Sequence, residues 1–226
     1  MFFKRKKKIV EEEIKTIPEM VEFTLLDPRA VQKDVHTLIN IAVKNKYCAV
    51  CVNPANVAEA REYIDNKIRV SSLTLVSVVG FPLGASTIST KVAEAKEALS
   101  DGADELDVVI NIGKLKDGDL GYIKSELSRI VRISRGKIVK AIIETCYLTK
   151  DEIKAVCKVC EKAKVDFIKT STGYGTGGAT VDDIVLIKEI VKNKCGIKAS
   201  GGIKSRAQAE DLIRAGATRI GTSRVI

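Results

Sequence analysis

The 226-residue chain has no tryptophan and one histidine, and aromatic residues make up only 4% of it. So few aromatics leave little on which nucleic-acid bases could stack. The net charge of +9 does not reverse that reading. Five of the positive charges form one run, Lys4 to Lys8, and the remaining +4 is mixed along the chain with Glu and Asp. A basic run of this kind reads as a solvated end, so no nucleic-acid partner is expected. No apolar stretch approaches the roughly 20 residues of a membrane span, so no membrane partner is expected either. The opening "MFFKRKKKIVEEE" lacks the apolar core and the small-residue cleavage site of a signal peptide. A cytoplasmic protein is expected.

Further absences narrow the chemistry. His36 is the only histidine, and "AVQKDVHTLINIAVKNK" places it on a helix. With the single histidine on a helix far from the strand ends, a Ser-His-Asp hydrolase and a His-ligated metal aldolase are both hard to build. No GxxxxGK[ST] occurs, which excludes a P-loop kinase. The six cysteines include two CxxC pairs, but Cys48 and Cys51 fall in a strand-like run, where residues three apart face opposite ways. Cys157 and Cys160 share a helical face without a second pair at zinc-finger spacing. Reduced, mostly buried cysteines and no metal or cofactor are expected.

What is present is a series of short apolar runs separated by helical periodicity. The runs are "VEFTLL" (21–26), "CAVCV" (48–52), "LTLVSVV" (73–79), "ELDVVI" (105–110), "IVKAIIET" (138–145), "DFIKTS" (166–171), "GIKAS" (196–200) and "TRIGTS" (218–223). Their starts lie near the ~30-residue spacing of a βα unit. Thr149 and Ser205 read as helix N-caps, and Gly216 as a helix end. Eight nearly continuous apolar strands predict a parallel sheet buried on both faces. The expected fold is therefore an α/β TIM (β/α)8 barrel. An open doubly wound sheet would need a glycine-rich phosphate turn after its first strand, and "VEFTLLDP" has none. The chain shown stops three residues after Ser223, so the eighth helix is expected to be missing or vestigial. Residues 1–20 are expected to be a basic N-terminal segment, helical or partly disordered, which covers the barrel floor. Residues 21–226 are expected to form a single barrel domain.

Functional side chains in such barrels lie at the C-terminal strand ends. Charges interrupt several of the apolar runs there: Glu22, Asp107, Glu144, Lys169 and Lys198. Lys169 and Lys198 fall at matching depth on neighbouring strands, which lie about 5 Å apart. Burial and a like charge both disfavour the protonated amine. A neutral lysine can attack a carbonyl and form a Schiff base. Two lysines snorkelling to the rim or pairing with Asp107 and Glu144 are the structural alternative. "GYGTGG" after Lys169, Gly201–Gly202 after Lys198, and Gly221 would let backbone N–H groups close on a phosphate.

The motifs "DFIKTSTG" followed by "GGAT", "IKASGGI", "GADELDVVINIG", "IIET", "AVCVNP" and "VVGFPLG" resemble those of the deoxyribose-phosphate aldolase family, in order over nearly the whole chain. The resemblance implies a class I aldolase. It would reversibly cleave 2-deoxy-D-ribose 5-phosphate to D-glyceraldehyde 3-phosphate and acetaldehyde, without metal, as a dimer or tetramer. It also implies that Lys169 is the Schiff-base lysine and that Lys198 and Asp107 relay protons. Lys140, Thr170, Gly173, Gly201, Gly202, Gly221 and Ser223 would contact the substrate or its phosphate. Glu22, Thr24, Cys51, Glu144 and Arg224 would support them. The chain departs from the family in two places. Glu22 stands where the family usually has Asp, and Arg224 follows Ser223 where many members have a second Ser. Another Schiff-base sugar-phosphate aldolase, and a catalytically inactive binding barrel with a basic tail, are the competing readings.

Overall fold

A computed structural model describes residues 17–68 and 73–226. The basic run, and most of the segment expected to cover the floor, lie outside the described residues. Eight strands form in the expected runs: β1 (Val21–Leu25), β2 (Ala49–Val52), β3 (Thr74–Val79), β4 (Glu105–Val109), β5 (Ile138–Ile142), β6 (Phe167–Lys169), β7 (Gly196–Ser200) and β8 (Arg219–Thr222). Each pairs in parallel with the next, and β8 pairs with β1, so the sheet closes into a barrel. The helices are α1 (Ile17–Met20), α2 (Gln32–Lys44), α3 (Val57–Lys67), α4 (Ile88–Ser100), α5 (Ile112–Lys116), α6 (Leu120–Ser134), α7 (Lys150–Ala163), α8 (Val181–Val191) and α9 (Arg206–Ala215).

Strand alternation divides the buried residues into two layers. Outward positions such as Val50, Leu75, Leu106, Val139, Ile168 and Ile220 join the helices in the main apolar core. Inward positions on β1–β3 build a separate, smaller cluster of Ala49, Cys51, Val76 and Val78, with Leu26 just beyond β1. The remaining inward positions are largely charged. That division is why the strands read as continuous apolar runs with single interruptions.

The helix ends follow their sequence signals. Thr149 and Glu152 form a reciprocal capping box at the start of α7, with Thr149 N–H donating to Glu152 at 2.7 Å. Ser205 Oγ accepts from Gln208 N–H at 3.3 Å, and Gly216 ends α9 at φ +122°. No helix follows β8 among the described residues. Instead, the Tyr47 hydroxyl donates to the Ile226 carbonyl at 3.2 Å and accepts its N–H at 3.1 Å. His36 lies on α2, stacked on Tyr63 with ring centroids 3.8 Å apart and paired with Glu59 at 3.1 Å. It belongs to the helical layer, as expected. Among the described residues no helix is long and apolar enough to cross a membrane.

One buried ion pair was not read from the sequence. Lys91 Nζ on α4 donates to Glu126 Oε1 on α6 and to the Val109 carbonyl, both at 2.6 Å. Glu126 Oε2 accepts from Asn111 N–H at 3.1 Å, and both side chains are fully buried. Stranding one buried charge costs about 3–5 kcal/mol. Lys91→Met should therefore destabilise by about that amount in urea titration. The double variant Lys91→Met/Glu126→Gln strands no charge and keeps an acceptor for Asn111, so it should recover part of the loss. A double variant no more stable than the single would contradict this.

Candidate active site

Register fixes which inward side chains meet. Lys169 on β6 is level with Lys198 on β7, and Lys198 is level with Arg219 on β8. Asp107 on β4 is level with Lys140 on β5. The matching depth read from the sequence for the two lysines is what the barrel contains. Glu22 on β1 and Glu105, two residues before Asp107 and so on the same face of β4, complete the set. Among the described residues, the interior thus holds three carboxylates and four cationic side chains.

Asp107 is the centre of this set. Its Oδ2 accepts from Lys169 Nζ at 2.8 Å and Lys198 Nζ at 2.7 Å, and its Oδ1 accepts from Lys140 Nζ at 2.9 Å. The Lys169 and Lys198 side-chain nitrogens are therefore bridged by a carboxylate and do not face one another bare. Glu22 accepts from Lys198 through a short contact, and its other oxygen lies 3.3 Å from Lys140 and 3.4 Å from Arg219. Glu105 Oε2 lies 2.5 Å from Lys140 and 3.8 Å from Arg219. Lys140 thus has three carboxylate partners, Lys198 two and Lys169 one.

This geometry decides the charge states. Burial alone would raise the Asp107 carboxyl, but Lys140, Lys169 and Lys198 outweigh it and hold the group well below the usual carboxylate range. Glu22 is lowered in the same way: burial is outweighed chiefly by Lys140 and Lys198. Burial would lower Lys198, yet Asp107 and Glu22 raise it above the ordinary lysine value. Lys140 is raised likewise, by Asp107, Glu22 and Glu105 against burial. Both amines are therefore charged at neutral pH and poor nucleophiles. Of the three, only Lys169 lines the open cavity above.

That cavity, of ≈ 490 Å³, opens at the C-terminal strand ends. Gly173, Gly201, Gly202, Gly221 and Ser223 line it with Lys169, and so do Thr24 and Arg224, which were expected only to support the site. Gly173, Gly201 and Gly202 all hold positive φ, +86°, +86° and +75°. A Cβ on Gly178 would sit 2.1 Å from the Gly201 carbonyl oxygen, so the loops after β6 and β7 interlock only through glycine. Gly221 has a second use: a Cβ there would come 3.0 Å from Lys198 Cε, so its bareness leaves room for the Lys198 arm.

Several expected residues stand elsewhere. Thr170 does not line the cavity; its hydroxyl donates to the Ser200 carbonyl and accepts Ser200 N–H, both at 3.1 Å, tying β6 to β7. Lys140 was expected among the substrate contacts but is fully buried and does not line the cavity. Cys51 lies in the apolar wall, its thiol pushed up to about 11 by burial and then by Asp107. Glu144 stays out of the lysine cluster. Held at φ +54°, it accepts from Thr172 N–H at 3.2 Å and from the Thr172 hydroxyl, anchoring the glycine loop. The cation Lys204, at the mouth beside Arg224, was missed in the sequence, although it follows the Gly201–Gly202 pair by two positions. Glu105 and Arg219 were missed too. Each opens an apolar run, where a charge reads as a strand boundary.

The chain can now be set beside known proteins. A family model described as DeoC/LacD family aldolase matches residues 19–222. A deoxyribose-phosphate aldolase from Thermococcus gammatolerans is 48% identical over 209 residues, 92% of each chain. One from Clostridium botulinum is 46% identical over 207 residues, covering 92% of this chain and 96% of the relative. The solved deoxyribose phosphate aldolase from Aeropyrum pernix, described as a unique tetrameric structure, superposes with TM-score 0.85 at 30% identity. That match covers 96% of this chain and 93% of the other.

Proposed function

The chain belongs to the DeoC/LacD family of aldolases, and from that premise we propose that it is a class I aldolase that reversibly cleaves 2-deoxy-D-ribose 5-phosphate to D-glyceraldehyde 3-phosphate and acetaldehyde. The observation that carries this reading is the placement of Lys169. It stands on the cavity wall, while the lysines beside it are held charged by carboxylates.

The Lys169 amine adds to the aldehyde carbon of the open-chain sugar, and loss of water gives a protonated iminium. The hydroxyl on the third carbon gives up its proton. The bond between the second and third carbons then breaks, releasing the phosphorylated aldehyde and moving an electron pair toward the iminium nitrogen. The resulting enamine is protonated on its terminal carbon and hydrolysed to acetaldehyde. Lys198 and Asp107, joined at 2.7 Å, are the proton-handling pair nearest Lys169. Leu26, on the cavity wall and backed by the buried cluster of Cys51, Val76 and Val78, suits the two-carbon fragment, which has no hydroxyl to satisfy. N–H groups of Gly173, Gly201 and Gly202, with Ser223, Lys204 and Arg224 at the rim, suit the phosphate.

Incubation with acetaldehyde and borohydride, followed by intact-protein and peptide mass spectrometry, tests the reading. One ethyl group on Lys169 is expected; an adduct elsewhere, or none, would overturn it. Glu144 gives a second test. Glu144→Gln removes the charge that holds Thr172, worth about 1.5 kcal/mol, so KM for the phosphorylated sugar should rise roughly tenfold. The change in kcat should be smaller, because Lys169 and Asp107 are untouched. Residues 21–226 would act as one barrel domain within a homo-oligomer, a dimer or a tetramer; the tetrameric relative supports the larger assembly.

A further inference from the structure

The loop after β6 opens with "GYGTGG" (173–178), four glycines with one large side chain, Tyr174. Glycine gives up the most conformational freedom on ordering, so such a loop keeps one shape only where side chains pin it. Glu144 pins Thr172, on the strand side of Gly173. The far end is tied to β7, where Ala179 N–H donates to the Ser200 and Gly201 carbonyls at 3.1 Å. Between them the pin is Tyr174. Its N–H donates to the Thr172 hydroxyl oxygen at 3.0 Å, and its own hydroxyl donates to the Leu26 carbonyl, just beyond β1, at 2.8 Å. Its ring meets Phe81, in the loop after β3, with centroids 5.4 Å apart and planes at 90°. Phe81 packs in turn on the buried cluster of Leu26, Cys51, Val76 and Val78. One half-exposed side chain thus joins the loops after β1, β3 and β6.

Gly173 lies between the Thr172 and Tyr174 pins, at φ +86° and on the cavity wall. Among the described residues its N–H donates to no protein acceptor. A free N–H on a backbone of this conformation is a donor for an anion, but only while it stays aimed. We propose that Tyr174 is a positioning residue for phosphate recognition: hung on the Leu26 carbonyl and seated on Phe81, it keeps the Gly173 N–H turned toward the phosphate of the sugar. The inference deepens the proposed aldolase reading and rests on it. The phosphate is carried four carbons from the aldehyde carbon that Lys169 attacks. Tyr174 acts through the Gly173 backbone and takes no part in the steps at Lys169, so its loss falls on binding of the phosphorylated substrate and spares the amine chemistry.

Two measurements separate these effects: steady-state cleavage of 2-deoxy-D-ribose 5-phosphate, and the rate of borohydride trapping by acetaldehyde, which carries no phosphate. Tyr174→Phe keeps the ring and removes one hydrogen bond. Its KM should rise roughly fivefold, with kcat changed by less than about twofold. Tyr174→Ala removes the ring contact as well and should raise KM roughly twentyfold. The trapping rate should stay at the wild-type value in both. Phe81 does not line the cavity, so Phe81→Leu reports positioning alone. It should raise KM about threefold in the wild-type background and add nothing to Tyr174→Ala.

An unchanged KM in Tyr174→Phe overturns the inference. So does a raised KM in Tyr174→Phe with no response to Phe81→Leu, which would make Tyr174 a direct substrate contact. A trapping rate that falls together with kcat overturns it too, since a general loss of structure would explain the result. If Tyr174→Ala does not fold, Tyr174→Phe and Phe81→Leu decide by the same criteria. A wild type that neither cleaves the sugar nor is trapped by borohydride would overturn the aldolase reading itself, which is a separate result.

Discussion

Lys169→Leu should lower kcat roughly 10⁴-fold or more while leaving the protein folded. Loss of a covalent nucleophile removes the path through the intermediate, and losses of this order or larger follow such changes in other enzymes. The stability half of the result comes from the contacts. Lys169 has one carboxylate partner, Asp107, and that carboxylate keeps Lys140 at 2.9 Å and Lys198 at 2.7 Å when Lys169 is gone. No buried charge is stranded, so urea titration should show little change. Lys198 cannot take over, because Asp107 and Glu22 hold it protonated against the effect of burial. Borohydride trapping with acetaldehyde should find no adduct in this variant. Substantial turnover, or an adduct moved to Lys198, would mean that the nucleophile has been misassigned.

Asp107→Asn should be the most damaging single change to the barrel interior. Three lysine side chains share that one carboxylate, all within 2.9 Å. Removing its charge leaves buried cations under-compensated at a cost of about 3–5 kcal/mol, a large part of a typical domain's total stability. Turnover should fall about 10²–10⁴-fold, because Lys198 loses its partner in proton transfer. The pH dependence follows from the direction of the shifts. Asp107 and Glu22 are depressed, so the stability they contribute is present above the ordinary carboxylate range and lost only as pH falls through their lower folded values. Lys140 and Lys198 are raised, so theirs is present below the ordinary lysine range and lost only above it. Wild-type stability should hold a plateau from about pH 5 to 8, above which the buried thiols of Cys48, Cys51, Cys157, Cys160 and Cys195, all raised by burial, begin to lose their contribution. The gap between wild type and Asp107→Asn should persist at pH 5 and close only in strong acid. A gap already closing at pH 5 would show that the carboxylate is not held low.

The lysines were legible in the sequence because each broke an apolar run that had no other reason to contain a charge. "DFIKTS" and "GIKAS" place Lys169 and Lys198 on the same face of adjacent strands, and their register confirms the pairing. The glycine clusters were legible as a group, since bare positions gathered at the ends of three neighbouring strands read as one backbone-lined mouth. Individual roles were not. Thr170 sits one residue from Lys169, yet faces outward and ties two strands together. Glu144 looked like an interior acid, but its positive φ turns it toward the Thr172 loop.

The sequence by itself determined the eight-strand βα series, the inward face of each strand and the lysine at the mouth. These depend on local periodicity and on residue types that apolar runs do not otherwise tolerate. The tertiary structure alone decided which charges meet. Closing the barrel brings Arg219 on β8 against Glu22 on β1, 197 positions apart in the chain. Strand register sets the depth at which Asp107 bridges three lysines. Alternation along one strand shows which way a side chain faces; the height and identity of its neighbours come from strand pairing around a closed sheet. The uneven sharing of carboxylates, three on Lys140, two on Lys198 and one on Lys169, is a property of that closed interior.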